Sequence, residues 1–309
     1  MRFSFQSLLI LFLLSFISVQ AFGQNLSSYI KLSGEKSTVV RSVETDKDGN
    51  LIITGTCGNV LDYTATPVYT RLMTYNIQNG GLNTEAGTYD FDRIASVINT
   101  TRPDVVAIQE VDNGSSRTGK KNWMQELGVK TGMYAFFGAT ISTLPSGFLQ
   151  WKGEYGIGIL SKERPLSWHF ETFTKSPEST DEVRGMLICE YPKFFFVSTH
   201  FSLYAPDRLI AAKRLNELAQ TSGKPVFLAG DFNALPNYEA PKELSREFEI
   251  LSTSEPTYPS SSPSKGIDWI MCSKRFSLPS VISTGIIRQP GIDMSVCSDH
   301  LPVWLDVKL

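Results

Sequence analysis

The sequence predicts an α/β protein, because strand-like and helix-like patterns alternate along most of its 309 residues. Short apolar runs, typical of buried strands, are separated by segments whose apolar residues recur every three or four positions, as in amphipathic helices. Several of these runs also finish in a carboxylate, an amide or an imidazole. The chain is long enough to bury a large core, and its formal charge of -2 gives no overall positive field for polyanions such as DNA.

Residues 1–23 have the pattern of a cleaved secretory signal peptide. Arg2 precedes the apolar run Leu8–Ile17, which is too short for a comfortable membrane span, and small residues suited to a cleavage site follow. We therefore expect a secreted or periplasmic protein without a transmembrane anchor. An uncleaved anchor is the alternative, which the short apolar run disfavours.

Export permits disulfide bonds, and the four cysteines of the chain can pair in three ways. They are Cys57, Cys189, Cys272 and Cys297. They lie far apart without a C-x-x-C motif, so a zinc site is not expected. Cys189 and Cys272 lie inside apolar strand-like runs and fit equally well as buried free thiols.

Residues 24–67 are predicted to form an N-terminal extension, because they precede the first motif that suggests chemistry. Two β-rich runs, Ser37–Val43 and Leu51–Thr56, flank an Asp-Gly turn, which predicts a β-hairpin. The remaining residues, 68–309, are expected to form one catalytic domain.

Apolar runs of strand length follow one another through residues 68–309. They are Arg71–Asn76, Val105–Ile108, Tyr155–Leu160, Gly185–Tyr191, Phe194–His200, Pro225–Ala229, Ile267–Met271 and Val303–Val307. Pro192 and Lys193 predict a tight hairpin between two of them. The Ser- and Pro-rich stretch Pro256–Lys265 predicts a loop.

Two helices are predicted between the strands. The first follows the N-cap candidate Asp90 and stops before Pro103, and its apolar face comprises Phe91, Ile94, Ala95 and Ile98. The second stops before Gly223, and its apolar face comprises Ala211, Leu215, Leu218 and Ala219.

Polar side chains follow the apolar runs at six places. They are Asn76, Glu110, His200, Asp231 with Asn233, Asp268, and Asp299 with His300. If these places meet in one pocket, its carboxylates cannot all ionise unless a cation offsets their repulsion. Oxygen-rich ligands suit Mg²⁺, Mn²⁺ or Ca²⁺ rather than zinc. The chemistry predicted is metal-assisted hydrolysis of a phosphate ester.

The same places carry six short motifs, in order along residues 69–309. They are Met73-Thr-Tyr-Asn76-Ile-Gln, Ile108-Gln-Glu110-Val, Ser198-Thr-His200-Phe, Gly230-Asp231-Phe-Asn233, Ile267-Asp268-Trp and Ser298-Asp299-His300-Leu-Pro-Val. Together they resemble the endonuclease/exonuclease/phosphatase superfamily, whose members include deoxyribonucleases, apurinic-site endonucleases, inositol polyphosphate phosphatases and bacterial sphingomyelinases. The resemblance implies a four-layer α/β sandwich, with two packed mixed β-sheets flanked by helices and an active site at one rim.

The resemblance also implies a metal side of the site. Glu110 resembles the principal metal ligand, Asn76 lies beside it on metal or phosphate, and Asp299 belongs to the metal side. Mg²⁺ is the cofactor expected, with Mn²⁺ or Ca²⁺ as alternatives.

Five further residues resemble the catalytic groups of the family. Asp231 corresponds to the residue that orients or deprotonates the attacking water, and Asn233 to a hydrogen-bond donor for the phosphate. His300 corresponds to the imidazole that stabilises the pentacovalent phosphorane, and Asp268 holds it. His200 corresponds to a second histidine that donates to a phosphate oxygen or to the leaving group.

Three other positions are less specific. Arg184, just before a strand, resembles an arginine that contacts phosphate, although a surface arginine fits as well. His169 has no motif partner and is expected to be structural. Ile157 stands where relatives often carry Asn, which leaves the substrate class open.

We therefore expect a secreted, metal-dependent phosphoesterase that attacks a phosphodiester or phosphomonoester with an activated water. Alternatives are an exported nuclease for DNA or RNA and a catalytically inactive binding module. A nuclease needs a basic groove, and Lys120, Lys121 and Lys130 are scattered. The cluster Gly147–Trp151 fits either a rim that makes transient membrane-surface contact or a packed core. No protein partner is implied, and the small net charge favours a lipid headgroup or small phosphorylated molecule over duplex DNA.

Overall fold

The computed structural model describes residues 69–81, 89–142, 153–289 and 291–309, together with the backbone of four strands nearer the N-terminus. The predicted signal peptide, apart from four residues of one strand, lies outside the described residues. The predicted Asp-Gly turn, Cys57 and the cluster Gly147–Trp151 lie outside them as well. Among the described residues, no helix is both long and apolar enough to cross a membrane.

The first unit of the chain, Met1–Tyr69, contains two antiparallel strand pairs. β1 (Phe16–Val19) pairs with β2 (Ile30–Ser33), and β3 (Val39–Thr45) pairs with β4 (Leu51–Thr56). The second pair joins the two runs that the sequence predicts to form a hairpin, with a register shift between Val40 and Ser42.

The second unit, Thr70–Leu309, contains two six-stranded sheets. Sheet I consists of β5 (Thr70–Asn76), β6 (Val105–Asn113), β7 (Tyr134–Ser142), β8 (Glu154–Ser161), β15 (Ser280–Ile286) and β16 (Val303–Lys308), in the order β15-β16-β5-β6-β8-β7. Sheet II consists of β9 (Ser167–Thr172), β10 (Gly185–Glu190), β11 (Phe195–His200), β12 (Val226–Asp231), β13 (Phe248–Ile250) and β14 (Asp268–Ser273), in the order β13-β14-β12-β11-β10-β9. Each sheet is mixed, because β5 pairs parallel with β6, β11 pairs parallel with β12, and the other pairs are antiparallel.

Helices cover the outer face of each sheet. They are α1 (Phe91–Thr101) and α2 (Trp123–Thr131) on sheet I, and α3 (Ala205–Thr221) and α4 (Glu239–Leu244) on sheet II. The inner faces pack on each other through a third apolar cluster that includes Leu72 and Ile159 from sheet I and Phe196 and Phe227 from sheet II. The predicted four-layer sandwich is therefore confirmed.

Cys189 and Cys272 belong to the core between the sheets, whereas Cys297 packs with α1 and its neighbours. All three are buried and free. The interpretation of Cys189 and Cys272 as buried thiols is confirmed.

The two predicted helices are present. Asp90 caps α1 by accepting a hydrogen bond from the backbone N of Arg93 at 3.0 Å, as its position before the apolar face predicts. The second, α3, begins six residues before the first predicted apolar position, Ala211, and ends at Thr221. Its opening turn is Ala-Pro-Asp, where Pro is compatible with a helix start.

The topology brings the polar residues to one edge of the sandwich. Asn76, the last residue of β5, pairs with Gln109 within the parallel strand β6, and His200 pairs with Asp231 where the parallel strands β11 and β12 both end. The prediction that Asp268 lies at the end of a strand is wrong, because Asp268 is the first residue of β14. Since β14 runs antiparallel to β12, its first residue pairs with Asp231 at the same edge.

Candidate active site

Asn76, the last residue of β5, connects the two sheets. Its Nδ2 donates to Oε1 of Glu110 at 2.9 Å and to Oδ2 of Asp231, on the other sheet, at 3.1 Å. Its Oδ1 accepts from the backbone N of Gln78 at 3.1 Å. These partners leave one chemically consistent orientation of the amide, because carboxylates only accept and a backbone N–H only donates. Asn76 thus orients two carboxylates, and its contact with metal or phosphate stays a prediction.

Glu110 reaches the site through a β-bulge. The sequence predicts that the strand ends here, but β6 continues to Asn113, and its register with β8 shifts between Gln109 and Val111. Glu110 itself has a φ of 57°, in the left-handed region. A bulge turns one side chain out of the regular alternation of a strand. The rest of β6 is therefore able to stay largely buried, while the half-buried side chain of Glu110 turns toward Asn76 and contacts it.

Asp231, the last residue of β12, lies between two imidazoles. Its Oδ2 is 3.4 Å from Nε2 of His200 and 3.7 Å from Nε2 of His300. Its Oδ1 accepts from the backbone N of Asn233 at 2.9 Å. Burial opposes ionisation, but the charge on His300 and the hydrogen bond from His200 outweigh it and hold the pKa of Asp231 well below its usual range. Asp231 is therefore a carboxylate at neutral pH.

Asp268 holds His300 from the side opposite Asp231. Nδ1 of His300 lies 2.9 Å from Oδ2 of Asp268, and the hydroxyl of Thr257 donates to the same oxygen at 2.5 Å. Burial alone favours the neutral imidazole, but Asp268 and Asp231 together raise the pKa of His300 to about 10. Burial also raises the pKa of Asp268, and the charge on His300 opposes that rise. His300 is therefore an oriented imidazolium at neutral pH.

Asp299 lies beside this pair on the more open side of the site. One of its oxygens is 4.0 Å from Nε2 of His300, and its backbone N donates to Oε1 of Gln78 at 3.2 Å. The preceding residue, Ser298, donates from its hydroxyl to the backbone O of Asn76 at 2.6 Å. The segment that carries Asp299 and His300 is therefore tied to the end of β5.

Arg184 binds the second histidine. Its Nη1 lies 3.1 Å from Nδ1 of His200 and also 3.1 Å from Oε2 of Glu182. Because a guanidinium only donates, Nδ1 of His200 accepts and Nε2 carries the proton that faces Asp231. The Arg184 side chain is only 9% exposed, so the alternative of a surface arginine is wrong. Its Nε is buried without a hydrogen-bond partner.

Asn233 and Phe232 face opposite ways after β12. Nδ2 of Asn233 lies 3.1 Å from Nε2 of His200 and donates to the backbone O of Phe201 at 2.9 Å. Phe232 is fully buried and stacks on Trp269 with ring centroids 5.0 Å apart. One short motif therefore supplies both the site and the core beneath it.

Gly230 allows the two central strands of sheet II to approach closely just before the site. A Cβ at this position would lie 2.1 Å from the backbone O of Thr199 on β11. Any other residue would push β11 and β12 apart, together with His200 and Asp231 at their ends.

The donor set fits a hard divalent cation on the side of Glu110 and Asp299. Burial raises the pKa of Asp299, and nearby Glu110 raises it further although His300 opposes both. A cation would relieve that repulsion. Asp231, Asp268 and His300 also offer ligand atoms within 4.8 Å of one another. In that second set, both carboxylates already contact the imidazole of His300, at 2.9 Å for Asp268 and 3.7 Å for Asp231.

All the predicted site residues form one connected network. Hydrogen bonds or ion pairs link Asn76, Glu110, Arg184, His200, Asp231, Asn233, Asp268, Asp299 and His300. His169, by contrast, is exposed on the edge strand β9.

Gln78, Thr257 and Tyr155 are site residues that sequence reasoning missed. Tyr155 lies between Glu110 and Arg184, and burial followed by the charge on Glu110 raises the pKa of its hydroxyl far above the usual value. Gln78 stands in the same short motif as Asn76, so its place in the site could have been inferred from the sequence. Thr257 lies in a Ser- and Pro-rich loop, where no motif points to the site.

Solved structures share this architecture. An endonuclease/exonuclease/phosphatase from Beutenbergia cavernae matches with a TM-score of 0.62 and 20% identity, over 78% of this chain and 72% of that one. One from Bacteroides vulgatus matches at 0.58 and 18%, over 79% and 100% of the chains. A mannosyl-6-phosphatase from Bacteroides thetaiotaomicron matches at 0.55 and 15%, over 78% and 100%. At such identities the likeness shows a shared fold.

Sequence comparison identifies the family. No curated protein gives a significant match to the chain. The model of the endonuclease/exonuclease/phosphatase family matches residues 73–300, a span that reaches from the first motif to His300 in the last. Members of this family act on phosphate esters. Because the match covers most of the sequence and the sandwich has the predicted layers, the chain belongs to the endonuclease/exonuclease/phosphatase family.

Proposed function

We propose that the protein is a metal-dependent phosphoesterase that hydrolyses its substrate by attack of a water molecule. The observation that carries the proposal is the position of Asp231, an ionised carboxylate that contacts an imidazole on either side. Asn76 joins it to Glu110, so strand ends from both sheets meet at one carboxylate.

In this proposal Asp231 orients the attacking water. Its depressed pKa makes it a weak base, so positioning of the nucleophile is the role that its chemistry supports best. The charged His300 faces the same carboxylate and is placed to stabilise negative charge that develops on the phosphoryl oxygens. Arg184, His200 and Asn233 supply further donors on the opposite side.

Glu110 and Asp299 would hold the cation. A bound Mg²⁺, Mn²⁺ or Ca²⁺ would supply charge stabilisation for a phosphoryl oxygen. Asn76 keeps Glu110 in place by donating to one of its oxygens at 2.9 Å.

We further propose an exported protein that acts on a small phosphorylated molecule or a lipid headgroup. The N-terminal signal pattern and the net charge of -2 support this. A nuclease is the alternative, for which the described residues offer the adjacent exposed cations Lys120 and Lys121 just before α2, the second of them over the ring of Trp123. The mannosyl-6-phosphatase that shares the fold shows that such a sandwich can act on a phosphorylated sugar.

The test is hydrolysis of p-nitrophenyl phosphate and bis(p-nitrophenyl) phosphate with Mg²⁺, Mn²⁺ or Ca²⁺, and with a chelator. We expect turnover that the chelator abolishes and the metal restores. Absence of metal-dependent turnover on either ester would leave the inactive binding module as the better description. A panel of DNA, RNA, sphingomyelin, phosphatidylinositol, inositol phosphates and sugar phosphates then identifies the substrate class, and N-terminal sequencing of exported protein tests the signal peptide.

A further inference from the structure

An ion pair between a buried carboxylate and a half-exposed arginine begins two residues beyond Glu110. Asp112, fully buried on β6, accepts from Nε of Arg117 at 2.7 Å, from Nη2 of Arg117 at 2.7 Å and from the hydroxyl of Thr118 at 3.0 Å. Such a paired, two-bond contact fixes the plane of the guanidinium. Arg117 is half-exposed, yet its orientation is set by a carboxylate from the interior.

The same guanidinium reaches the turn that follows Asn76. Nη2 of Arg117 donates to Oδ1 of Asn79 at 2.9 Å, and the guanidinium carbon lies 5.4 Å from the centre of the Tyr155 ring. Arg117 therefore joins β6, which carries Glu110, to the segment that continues from β5.

That segment, which we call the 78–81 turn, has an unfavourable backbone. Four consecutive residues have positive φ, at 44° for Gln78, 55° for Asn79, 94° for Gly80 and 72° for Gly81. Residues other than glycine rarely adopt a positive φ, so contacts with the surrounding structure must hold Gln78 and Asn79 in this conformation. The contact from Arg117 is one of them.

The 78–81 turn in turn holds two residues of the cation side. The backbone N of Gln78 donates to Asn76 at 3.1 Å, and its side-chain Oε1 accepts from the backbone N of Asp299 at 3.2 Å. Asn76 contacts Glu110 directly. A displacement of the turn would therefore shift the proposed ligands relative to one another.

We propose that Arg117 is a positioning residue for cation binding: by joining Asp112 to Asn79 it holds the 78–81 turn and thereby the spacing of Glu110 and Asp299. This rests on the proposed function, in which those carboxylates hold the cation. Residues that orient the ligands of a metal ion commonly tune the affinity of the site for that ion, and their loss typically weakens metal binding about 10- to 100-fold.

The experiment measures Mn²⁺ and Mg²⁺ affinity by calorimetry, without substrate, for wild type, Arg117→Ala, Arg117→Lys and Asn79→Ala. We expect affinity to fall about tenfold or more in Arg117→Ala and in Asn79→Ala. Asn79→Ala leaves the contact between Arg117 and Asp112 in place, so it covers the case in which Arg117→Ala fails to fold. Arg117→Lys should recover only part of the affinity, because an ammonium cannot make the two-bond contact and reach Asn79 together.

Arg214→Ala is the matched control. Arg214 makes an equivalent two-bond contact with Glu171, at 2.6 and 2.9 Å, from α3 on the outer face of sheet II. Its loss should leave cation affinity unchanged, whatever it does to the apparent melting temperature.

The outcomes separate this proposal from the one on which it rests. Wild-type affinity in both Arg117→Ala and Asn79→Ala would overturn the positioning role alone, whereas a wild-type protein that binds no cation would overturn both proposals. At saturating metal, the kcat and KM of Arg117→Ala should return to near wild type. A raised KM that persists there with unchanged cation affinity would assign Arg117 to substrate contact and overturn the proposal.

Discussion

Nδ1 of His300 lies 2.9 Å from Asp268, so the nitrogen that faces Asp231 at 3.7 Å is Nε2. One imidazole thus separates two buried carboxylates and is positively charged because of them. The arrangement places a fixed donor beside the carboxylate that we propose for orienting water, and no side chain has to move to provide it.

The charge on Asp268 should set the alkaline limit of activity. Asp268→Asn removes a negative charge that raises the pKa of His300, so that pKa must fall. Since the imidazolium is lost as pH rises through its pKa, the alkaline limb of kcat/KM should move to lower pH, by about one unit or more. The measurement is the pH profile of wild type and variant at saturating metal.

Asp306→Asn is the control for that experiment. Asp306 is also a buried carboxylate, but it pairs with Arg71, 2.7 Å away, on sheet I. Its alkaline limb should match that of wild type. If the alkaline limb of kcat/KM lies at the same pH in Asp268→Asn as in wild type, His300 does not act as the charged group.

Replacement of Asp231 by Asn should reduce kcat about 10²-fold or more, because misplacement of the attacking group by about 1 Å already costs that much. Asn keeps the shape and the acceptor for the backbone N of Asn233 but loses the charge. Circular dichroism should show an intact fold, and Asp306→Asn should keep its activity. Turnover of Asp231→Asn within a few-fold of wild type would remove Asp231 from the proposed mechanism.

The central strands of each sheet were predictable because they are buried on both faces and read as continuous apolar runs. The edge strands β9 and β15 were not, since most of their residues are exposed or half-exposed and no apolar pattern marks them. The short strand β13 and helix α4 are too brief to show a period.

The site was predictable as a set of residues but not as a geometry. Motif order along the chain indicated which side chains would meet. The bulge at Glu110 and the start of β14 at Asp268 depend on strand pairings that no local pattern reveals. Arg117 was missed for a similar reason, because its contact with Asn79 joins residues 38 positions apart.

Phe232 should contribute strongly to stability, although its neighbours on either side belong to the site. It is fully buried, stacks on Trp269 and meets Phe201 edge-on at 5.0 Å. Phe232→Ala should lower the free energy of unfolding by about 3 to 5 kcal/mol, the usual cost of truncating a buried Phe. Urea denaturation measures this, with Val129→Ala, whose parent side chain is 79% exposed on α2, as a control expected within about 0.5 kcal/mol of wild type. A loss below about 1 kcal/mol in Phe232→Ala would contradict the packing.

The buried cysteines should be inert thiols in the folded protein. Burial raises the pKa of Cys189 and of Cys272 to about 12 and that of Cys297 to about 11. Because the thiolate is the reactive form, raising the pKa lowers the reactive fraction at pH 8. In a Cys57→Ser variant, a thiol-specific reagent should therefore label the native protein slowly, and three thiols should react rapidly after denaturation without reductant.

A positive control comes from the same variant with Val129→Cys added, which places a thiol at an exposed position and should react at once. Fewer than three thiols in the denatured Cys57→Ser protein would reveal a disulfide among the buried cysteines. Rapid labelling of the native protein would show instead that sheet II, which carries Cys189 and Cys272, or the segment around Cys297 opens readily, since the reaction requires exposure of a buried thiol.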